Sequence, residues 1–271
     1  MITADFHVHS DFSSDGKASM EDMILQGIKL GLKTLCFTDH LDYDYPKIYT
    51  YSFDLDIDKY LEQLQLMRDK YKSQIEILSG IELGMQPHIT AHLDTIVKKY
   101  PFDFVIGSVH VVDYMDMYYP QYWEGRTEEE GIRRYFHAVR EGCKSFHGFH
   151  ICGHIDYIVR YAPSSKIQYN GYSHTDYADI LDEILKTIIA HGKGIELNTS
   201  GYKYGLGHPH PKTEIIKRYK ELGGEIITIG SDAHLPEHLC YDFDRAKEVL
   251  KSIGYHYHTL FREGKPHMVK L

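Results

Sequence analysis

The feature that most constrains the fold of this chain is a regular alternation between two hydrophobic patterns. Short apolar runs typical of buried strands alternate about seven times with longer stretches in which apolar residues recur at helical spacing. This alternation predicts a parallel sheet whose strands are joined by helices. At this length it closes most naturally into a barrel. Because no long linker or change of composition interrupts the pattern, residues 1–271 are predicted to form one α/β domain.

The predicted elements cover most of the chain. Strands are predicted at residues 2–8, 34–38, 76–83, 102–109, 151–154, 194–197 and 226–229, with a final strand at 255–261. Helices are predicted at residues 58–71, 90–99, 127–146, 176–191, 212–222 and 243–253, and a first helix runs from an N-cap at Ser19 to Gly31. Residues 41–55, 111–125 and 157–172 are predicted loops, the first two rich in tyrosine and aspartate.

Metal-binding residue types occur where the predicted strands end. On the first strand Asp5, His7 and His9 project to the same side, because strand side chains alternate between two faces. Burying such groups without partners costs several kcal/mol each, and a bound cation is the simplest compensation. The carboxyl ends of barrel strands form the face on which barrel enzymes carry their active sites. The other strands end in further residues of this kind: Asp39 and His40, Glu82, His110, His154, Glu196 and Asn198, and Asp232 and His234.

The composition limits the classes of partner. With 30 lysines and arginines against 39 acidic residues the net charge is -9, and no basic run stands out, so neither nucleic acid nor an anionic membrane is an expected partner. We find no signal-peptide pattern and no apolar stretch long enough to span a membrane, and we therefore expect a cytoplasmic protein. The four cysteines are widely spaced without a Cys-x-x-Cys pair, which disfavours a thiolate zinc site.

Six segments of the chain together resemble the motifs of the polymerase-and-histidinol-phosphatase (PHP) superfamily. They appear in chain order over almost the whole length, and the chain length, the Tyr/Asp-rich loops and the context of Arg160 are similar to the stand-alone histidinol-phosphate phosphatases within it. The segments are Asp5-Phe-His-Val-His9, Phe37-Thr-Asp-His40, Gly80-Ile-Glu82, Gly107-Ser-Val-His110, Gly153-His-Ile-Asp156 and Gly230-Ser-Asp-Ala-His234.

The resemblance implies a distorted (β/α)7 TIM-like barrel with three divalent metal ions at the C-terminal ends of the strands. Mixed imidazole and carboxylate ligands suit zinc, manganese or iron better than magnesium or calcium, and nine such residues exceed what a structural zinc needs. By the resemblance, one ion is held by His7, His9, Glu82 and Asp232. Glu82 bridges to a second ion held by His110 and His154, and a third is held by Asp15, His40 and His234.

The expected reaction is phosphomonoester hydrolysis. Closely spaced divalent ions lower the pKa of a shared water molecule, and the hydroxide that results attacks a phosphoryl group. By the resemblance, the small phosphorylated substrate is L-histidinol phosphate, which is cleaved to L-histidinol and phosphate in histidine biosynthesis. The alternatives are a related tyrosine-phosphoprotein or nucleotide phosphatase, an exonuclease, a deaminase on a similar barrel, and a metal-stabilised binding module. The charge balance disfavours the exonuclease.

Further residues are candidates for substrate binding and proton transfer. Arg160 is the best phosphate clamp, since a guanidinium binds two phosphate oxygens at once, although it also fits a solvated loop. Lys203 stands where relatives often carry a second arginine. Asp39 and Asp156 either protonate the leaving alcohol or orient ligand histidines, and we favour the second role. The mouth of the barrel is expected to carry Tyr114 and His208 as substrate contacts, together with Tyr43, Tyr45, Tyr118, Tyr119, Asp113 and Asp116.

Overall fold

The computed structural model describes residues 2–164 and 172–271. Seven strands and seven longer helices alternate within this part of the chain. The strands are β1 (Ala4–Val8), β2 (Thr34–Phe37), β3 (Glu76–Gly84), β4 (Phe104–Ser108), β5 (Ile151–Cys152), β6 (Gly194–Asn198) and β7 (Ile227–Gly230). The helices are α1 (Met20–Lys29), α2 (Ile57–Tyr71), α3 (Thr90–Lys99), α4 (Glu128–Ser145), α5 (Ala178–Ala190), α6 (Thr213–Glu221) and α7 (Phe243–Ile253).

The strands form a parallel sheet in the order β1 to β7, so each strand lies beside its neighbours in sequence. The sheet comes close to closing on itself, because Val8 at the end of β1 bridges in parallel to Ala233 just beyond β7. Two hydrogen bonds support this contact: His9 N donates to Ala233 O at 2.9 Å, and Asp232 N donates to His7 O at 2.8 Å. The predicted distorted (β/α)7 barrel is confirmed.

Local signals explain where the helices begin. The Ser19 hydroxyl accepts a hydrogen bond from Asp22 N at 3.1 Å and caps α1. Thr127 and Glu130 form a reciprocal capping box that starts α4. These caps satisfy backbone N–H groups that have no partner inside the helix.

One apolar cluster draws buried side chains from each of the strands β1 to β5. Phe6 and Phe104 pack edge to face with ring centroids 5.2 Å apart. The C-terminal hairpin, β8 (Tyr257–Arg262) and β9 (Lys265–Lys270), adds Leu260 and Phe261 to the same apolar cluster. The hairpin is anchored where the Arg262 guanidinium donates to both carboxylate oxygens of Glu76, at 2.6 and 2.7 Å. The final strand predicted from sequence therefore exists, but it joins an antiparallel partner that the sequence pattern did not predict.

The predicted loops contain short ordered elements. His40–Leu41 pairs with β3, Val111–Val112 pairs with Met115–Asp116 as a small hairpin, and Tyr157–Tyr161 forms a 3-10 helix. The remainder of the predicted 157–172 loop includes residues 165–171, which lie outside the described residues. A short helix, Ser200–Lys203, follows β6 and carries Lys203. In the described part of the chain, each helix is too short or too polar to cross a lipid bilayer.

Candidate metal centre

The nine residues predicted as metal ligands come together at the C-terminal end of the barrel. His7 and Glu82 lie on β1 and β3, and the other seven follow the ends of strands. Asp5 does not join them, because its carboxylate accepts hydrogen bonds from Ser231 N at 3.0 Å and Ser231 Oγ at 2.5 Å. Of the three polar residues that the strand pattern placed on one face, His7 and His9 thus reach the centre and Asp5 joins the contact that closes the barrel.

Glu82 lies at the middle of the cluster and is fully buried. Its Oε2 is 3.1 Å from both His7 Nε2 and His40 Nδ1. Its Oε1 is 2.9 Å from His154 Nε2 and 3.4 Å from His110 Nε2. His9 Nε2 also lies 3.5 Å from Oε2. One carboxylate therefore faces five imidazoles from two sides, which is the arrangement that a bridging ligand requires.

Asp232 forms a second carboxylate centre beside Glu82. Its Oδ1 lies 3.5 Å from His9 Nε2 and 3.6 Å from His234 Nδ1. The residue has a positive φ of 53°, a backbone conformation that is costly for a non-glycine residue and recurs at functional sites. The surrounding structure holds this conformation, since Asp232 N donates to His7 O.

The third predicted group lies at the outer edge of the cluster. Asp15 Oδ2 is 3.2 Å from His234 Nε2 and 3.8 Å from His40 Nε2. The His9 ring stacks between the rings of His40 and His234. Its centroid lies 4.2 Å from that of His40 and 4.1 Å from that of His234. Because His9 also lies 3.5 Å from both Glu82 and Asp232, and His40 lies 3.1 Å from Glu82, the three groups form one continuous cluster.

The cluster fits divalent transition-metal ions. Several sets of three residues place their donor atoms within 4.8 Å of one another, including His7, His9 and Glu82, and Glu82, His110 and His154. Within residues 2–164 and 172–271, the buried nitrogens His9 Nε2, His40 Nδ1 and His234 Nε2 have carboxylate oxygens 3.1 to 3.5 Å away but form no well-directed hydrogen bond. Buried polar atoms without partners are costly, and coordination to a cation removes that cost.

The electrostatics of the cluster favour ligation. Burial acts to raise the pKa of Glu82, but His7, His40 and His110 hold that pKa well below its usual value, so the carboxylate is ionised. Burial and the neighbouring His234 and His40 lower the pKa of His9, which keeps its ring neutral. Burial also acts to lower the pKa of His7, but Glu196 and Glu82 raise it well above its usual value. Metal binding at that ring would therefore release a proton.

A second set of side chains orients the ligands, and Asp42 is the member that sequence reasoning missed. His110 Nδ1 donates to Asp42 Oδ1 at 2.9 Å, which leaves Nε2 facing Glu82. Carboxylates in this position fix the ring of a ligating histidine and raise its basicity. A Cβ at Gly84 would lie 2.0 Å from Asp42 Oδ1, so glycine is required there. The sequence feature that could have indicated this role is the position of Asp42, two residues after the predicted ligand His40.

Glu196 and Asn198, which the sequence placed at the end of β6 without a role, also support the ligands. Glu196 Oε2 accepts from His7 Nδ1 at 2.9 Å, and its Oε1 accepts from His154 N at 2.7 Å. Asn198 Nδ2 and Ser200 Oγ both donate to Asp232 Oδ2 at 3.3 Å. Each of these contacts fixes the direction in which a ligand atom points.

Asp39 and Asp156, the two candidate proton donors, lie outside the lining of the cavity at the mouth. Asp39 accepts hydrogen bonds from the backbone and hydroxyl groups of Ser10 and Ser13, at 2.7 to 3.1 Å. Asp156 accepts from His210 Nδ1 at 2.6 Å and from Lys212 N at 2.8 Å. Both carboxylates are fully buried. These hydrogen bonds reach no ligand histidine directly, although Ser13 Oγ, which donates to Asp39, lies 3.3 Å from His9 Nδ1. Whether the two carboxylates orient ligands or transfer protons stays a prediction.

The cavity at the barrel mouth has a volume of about 400 Å³ and joins the cluster to the loops. Arg160 and Lys203 both line it. The Arg160 guanidinium lies 3.2 Å from the centroid of the Tyr204 ring, and Lys203 Nζ donates to Asp232 O at 3.1 Å. Burial lowers the pKa of Lys203. Two cationic side chains thus face the cavity beside the cluster.

Four of the other predicted mouth residues lie outside the cavity lining. Tyr114 is 63% exposed. His208 Nδ1 donates to Pro209 O at 2.8 Å. The Tyr43 ring stacks on His92 at 3.8 Å. The Asp113 carboxylate is bound by Arg134. Tyr45, Tyr118, Tyr119 and Asp116 do line the cavity, together with Tyr51, Phe53, Tyr157 and Tyr161, which the prediction did not include.

A barrel with imidazoles and carboxylates clustered at its C-terminal face defines a class of proteins equipped to hold several divalent ions. Residues 5–200 match the PHP domain, and the chain belongs to this family. The resemblance stated from the sequence motifs is thereby confirmed.

Relatives with known names cover nearly the whole chain. A probable histidinol-phosphatase from Clostridium acetobutylicum is 34% identical over 252 residues, 92% of this chain and 92% of the relative. The histidinol-phosphatase of Lactococcus lactis is 29% identical over 262 residues, 94% of this chain and 93% of that protein. The crystal structure of histidinol phosphate phosphatase from L. lactis, complexed with zinc, L-histidinol and phosphate, has a TM-score of 0.88 and 28% identity and covers 98% of each chain.

Proposed function

We propose that this protein is a metal-dependent phosphomonoesterase that hydrolyses L-histidinol phosphate to L-histidinol and phosphate, a step of histidine biosynthesis. One observation carries the proposal: the fold of the L. lactis phosphatase, which binds zinc, L-histidinol and phosphate, matches this chain over 98% of its length. This chain places a histidine and carboxylate cluster and two cationic side chains around one cavity. The cavity therefore offers side chains whose chemistry suits both products, L-histidinol and phosphate.

Three divalent ions would be held by the nine residues of the cluster. His7, His9, Glu82 and Asp232 form the first set. Glu82 with His110 and His154 forms the second, and Asp15, His40 and His234 form the third. Zinc, manganese and iron match these mixed nitrogen and oxygen donors. When bound, such ions supply activated water at neutral pH and neutralise the charge of phosphoryl oxygens.

The protein's own side chains would bind and orient the ester. Arg160 presents a planar guanidinium that can bind two phosphate oxygens, and Lys203 adds a point charge beside Asp232. Tyr204, stacked on Arg160 at 3.2 Å, fixes the plane of the guanidinium. Asp39 would act as a positioning residue through Ser13, which donates to its carboxylate and lies against His9. Asp156 would fix His210 and Lys212 N outside the cavity lining.

A substrate comparison tests the proposal. Phosphate release by the metal-replete protein is measured with L-histidinol phosphate, an aryl phosphate, a phosphotyrosine peptide and a nucleoside monophosphate. We expect kcat/KM for L-histidinol phosphate to exceed the others by about 100-fold or more, because a cavity with fixed polar groups rejects esters that leave those groups unpaired. A preference for the peptide or the nucleotide would overturn the assignment in favour of a related phosphatase. The cytoplasmic location and the absence of a nucleic-acid partner stay predictions.

A further inference from the structure

Asp116 is held in a defined position at the mouth of the barrel. It ends a small hairpin in which Val111–Val112 pairs with Met115–Asp116. The two turn residues, Asp113 and Tyr114, have φ values of 53° and 60°, the conformation of the tight turns that suit a hairpin. Arg134 on α4 donates to both carboxylate oxygens of Asp113, at 2.6 and 2.9 Å. The hairpin is thus fixed to the barrel scaffold.

The Asp116 carboxylate lines the cavity and accepts two hydrogen bonds from uncharged donors. Its Oδ2 accepts from the Tyr45 hydroxyl at 2.5 Å, and its Oδ1 accepts from Tyr118 N at 2.7 Å. Each oxygen keeps lone-pair capacity after these contacts. Among the residues that the structure describes, no lysine, arginine or histidine forms a salt bridge with it. Burial raises the pKa of Asp116, although the hydrogen bonds from Tyr45 and Tyr118 N act to lower it.

Aromatic rings from three loops surround this carboxylate. Tyr49 and Tyr119 stack face to face at 3.9 Å and 3°. The Tyr45 ring packs edge to face on Phe53 at 5.0 Å, and the Tyr118 ring packs edge to face on Tyr161 at 5.5 Å. Aromatic rings attract organic cations through their π faces, and an adjacent carboxylate adds a charged hydrogen-bond acceptor.

Asp116 also differs from the other acidic residues of the cavity. Asp15 and Asp232 line it as well, but both belong to the histidine cluster. Asp116 is the remaining carboxylate among the described lining residues. The cavity therefore offers a carboxylate that is not one of the nine predicted metal ligands.

We propose that Asp116, oriented by Tyr45, is the specificity residue that binds the ammonium group of an amino-alcohol phosphate. The ester would lie across the cavity with its phosphate beside Arg160 and its ammonium on Asp116. This inference rests on the proposed function and deepens it, because it names the charge that distinguishes the preferred substrate from other phosphate esters. An ammonium group is protonated at neutral pH, so a carboxylate selects it over an uncharged analogue.

The test measures phosphate release from two pairs of esters that differ in one amine. The pairs are L-histidinol phosphate with its deamino analogue, and 2-aminoethyl phosphate with ethyl phosphate. In the wild-type protein kcat/KM is expected to favour the amine of each pair by roughly 10- to 100-fold. Asp116→Asn is expected to reduce that ratio to within about threefold of unity, mainly through KM, because it slows each amine ester more than its deamino partner.

Asp54→Asn is the matched control, because Asp54 is exposed on the neighbouring loop and accepts from Ser52 Oγ at 2.6 Å. It is expected to leave both ratios unchanged. If Asp116→Asn preserves the amine preference, or lowers the rates of all four esters equally, the inference is overturned. The shorter pair separates this result from the proposed function. The wild-type protein could prefer 2-aminoethyl phosphate over ethyl phosphate and yet show no preference for L-histidinol phosphate over its deamino analogue. That result would support the role of Asp116 in ammonium binding and would contradict L-histidinol phosphate as the substrate.

Discussion

At the scale of single residues, Asp42 shows how a group outside the ligand set controls the centre. Its carboxylate fixes the His110 ring through a 2.9 Å hydrogen bond to Nδ1. Asp42→Asn removes the charge that makes the ring a strong ligand, and we expect metal affinity to fall by about 10- to 100-fold. Competition against a coloured chelator measures this affinity.

Asp44→Asn serves as the control for that experiment. Asp44 lies two residues further along the same loop, and its carboxylate pairs with the exposed His88 at 2.8 Å. The metal affinity of the Asp44→Asn variant should equal that of the wild-type protein. Equal affinities in the Asp42 and Asp44 variants would refute the orienting role of Asp42.

His150 provides a pH-dependent contribution to stability. Val105 N donates to His150 Nδ1 at 2.9 Å, so this nitrogen must be unprotonated in the folded state. Burial lowers the pKa of His150 from 6.5 to about 4. As pH falls below 6.5 the unfolded chain binds a proton that the folded protein does not, so stability falls until about pH 4 and then levels.

We expect His150→Asn to reduce this loss of stability by about 1 to 3 kcal/mol, because asparagine can accept from Val105 N without titrating. Urea unfolding of the metal-free protein at pH 7.5 and pH 4.5 measures the difference, and chelation removes the contribution of metal release. An unchanged pH dependence in the variant would contradict the assignment.

The residue-level predictions depended on periodicity and motif, and these signals identified some residues of the site but not others. His7 and His9 could be predicted as neighbours because a strand sends alternate residues to one face. Asp42 could not, because its approach to His110 depends on the close packing of the loop on Gly84, and loop paths leave no periodic signal. Tyr114 was predicted as a substrate contact, but it lies at the hairpin turn, 63% exposed, where the cavity lining does not include it.

At the scale of elements, the C-terminal hairpin supports the barrel. Phe261 is 3% exposed and packs on Phe104 with ring centroids 5.2 Å apart and on His150 at 5.0 Å. We expect Phe261→Ala to lower the free energy of unfolding by about 3 to 5 kcal/mol, because it removes a buried aromatic ring and leaves a cavity.

Chemical denaturation measures this loss, and Met268→Ala is the control on the same hairpin. Met268 is 48% exposed, so its truncation should change stability by no more than about 0.5 kcal/mol. Similar effects of the two substitutions would show that the hairpin does not contribute to the core.

Elements with strong internal periodicity were the ones that sequence could predict. The predicted helix at 243–253 coincides with α7, Phe243–Ile253, because its apolar face repeats regularly and Gly254 ends it with a φ of 98°. The strand β9 was missed because all six of its residues are exposed and include two lysines and a proline. Such an edge strand has no buried face to produce an alternating pattern.

At the scale of the whole molecule, barrel closure creates the centre. The residues of the cluster are spread from His7 to His234, and they meet because β1 and β7 approach at the contact of Val8 with Ala233. The order of strand ends around a barrel was enough to predict that these residues share a face. It was not enough to predict how the loops divide the cavity among Arg160, Lys203 and the tyrosines, which depends on packing between distant segments.

The measurement that tests this account most directly is phosphate release from L-histidinol phosphate before chelation, after chelation, and after zinc, manganese or iron is restored. We predict that chelation abolishes release and that a restored transition-metal ion recovers it. Glu82→Gln, which removes the carboxylate charge shared by five imidazoles, should retain its fold by circular dichroism and fail to recover activity. Release that persists after chelation, or full activity in Glu82→Gln, would contradict the assignment of this cluster as the catalytic metal centre.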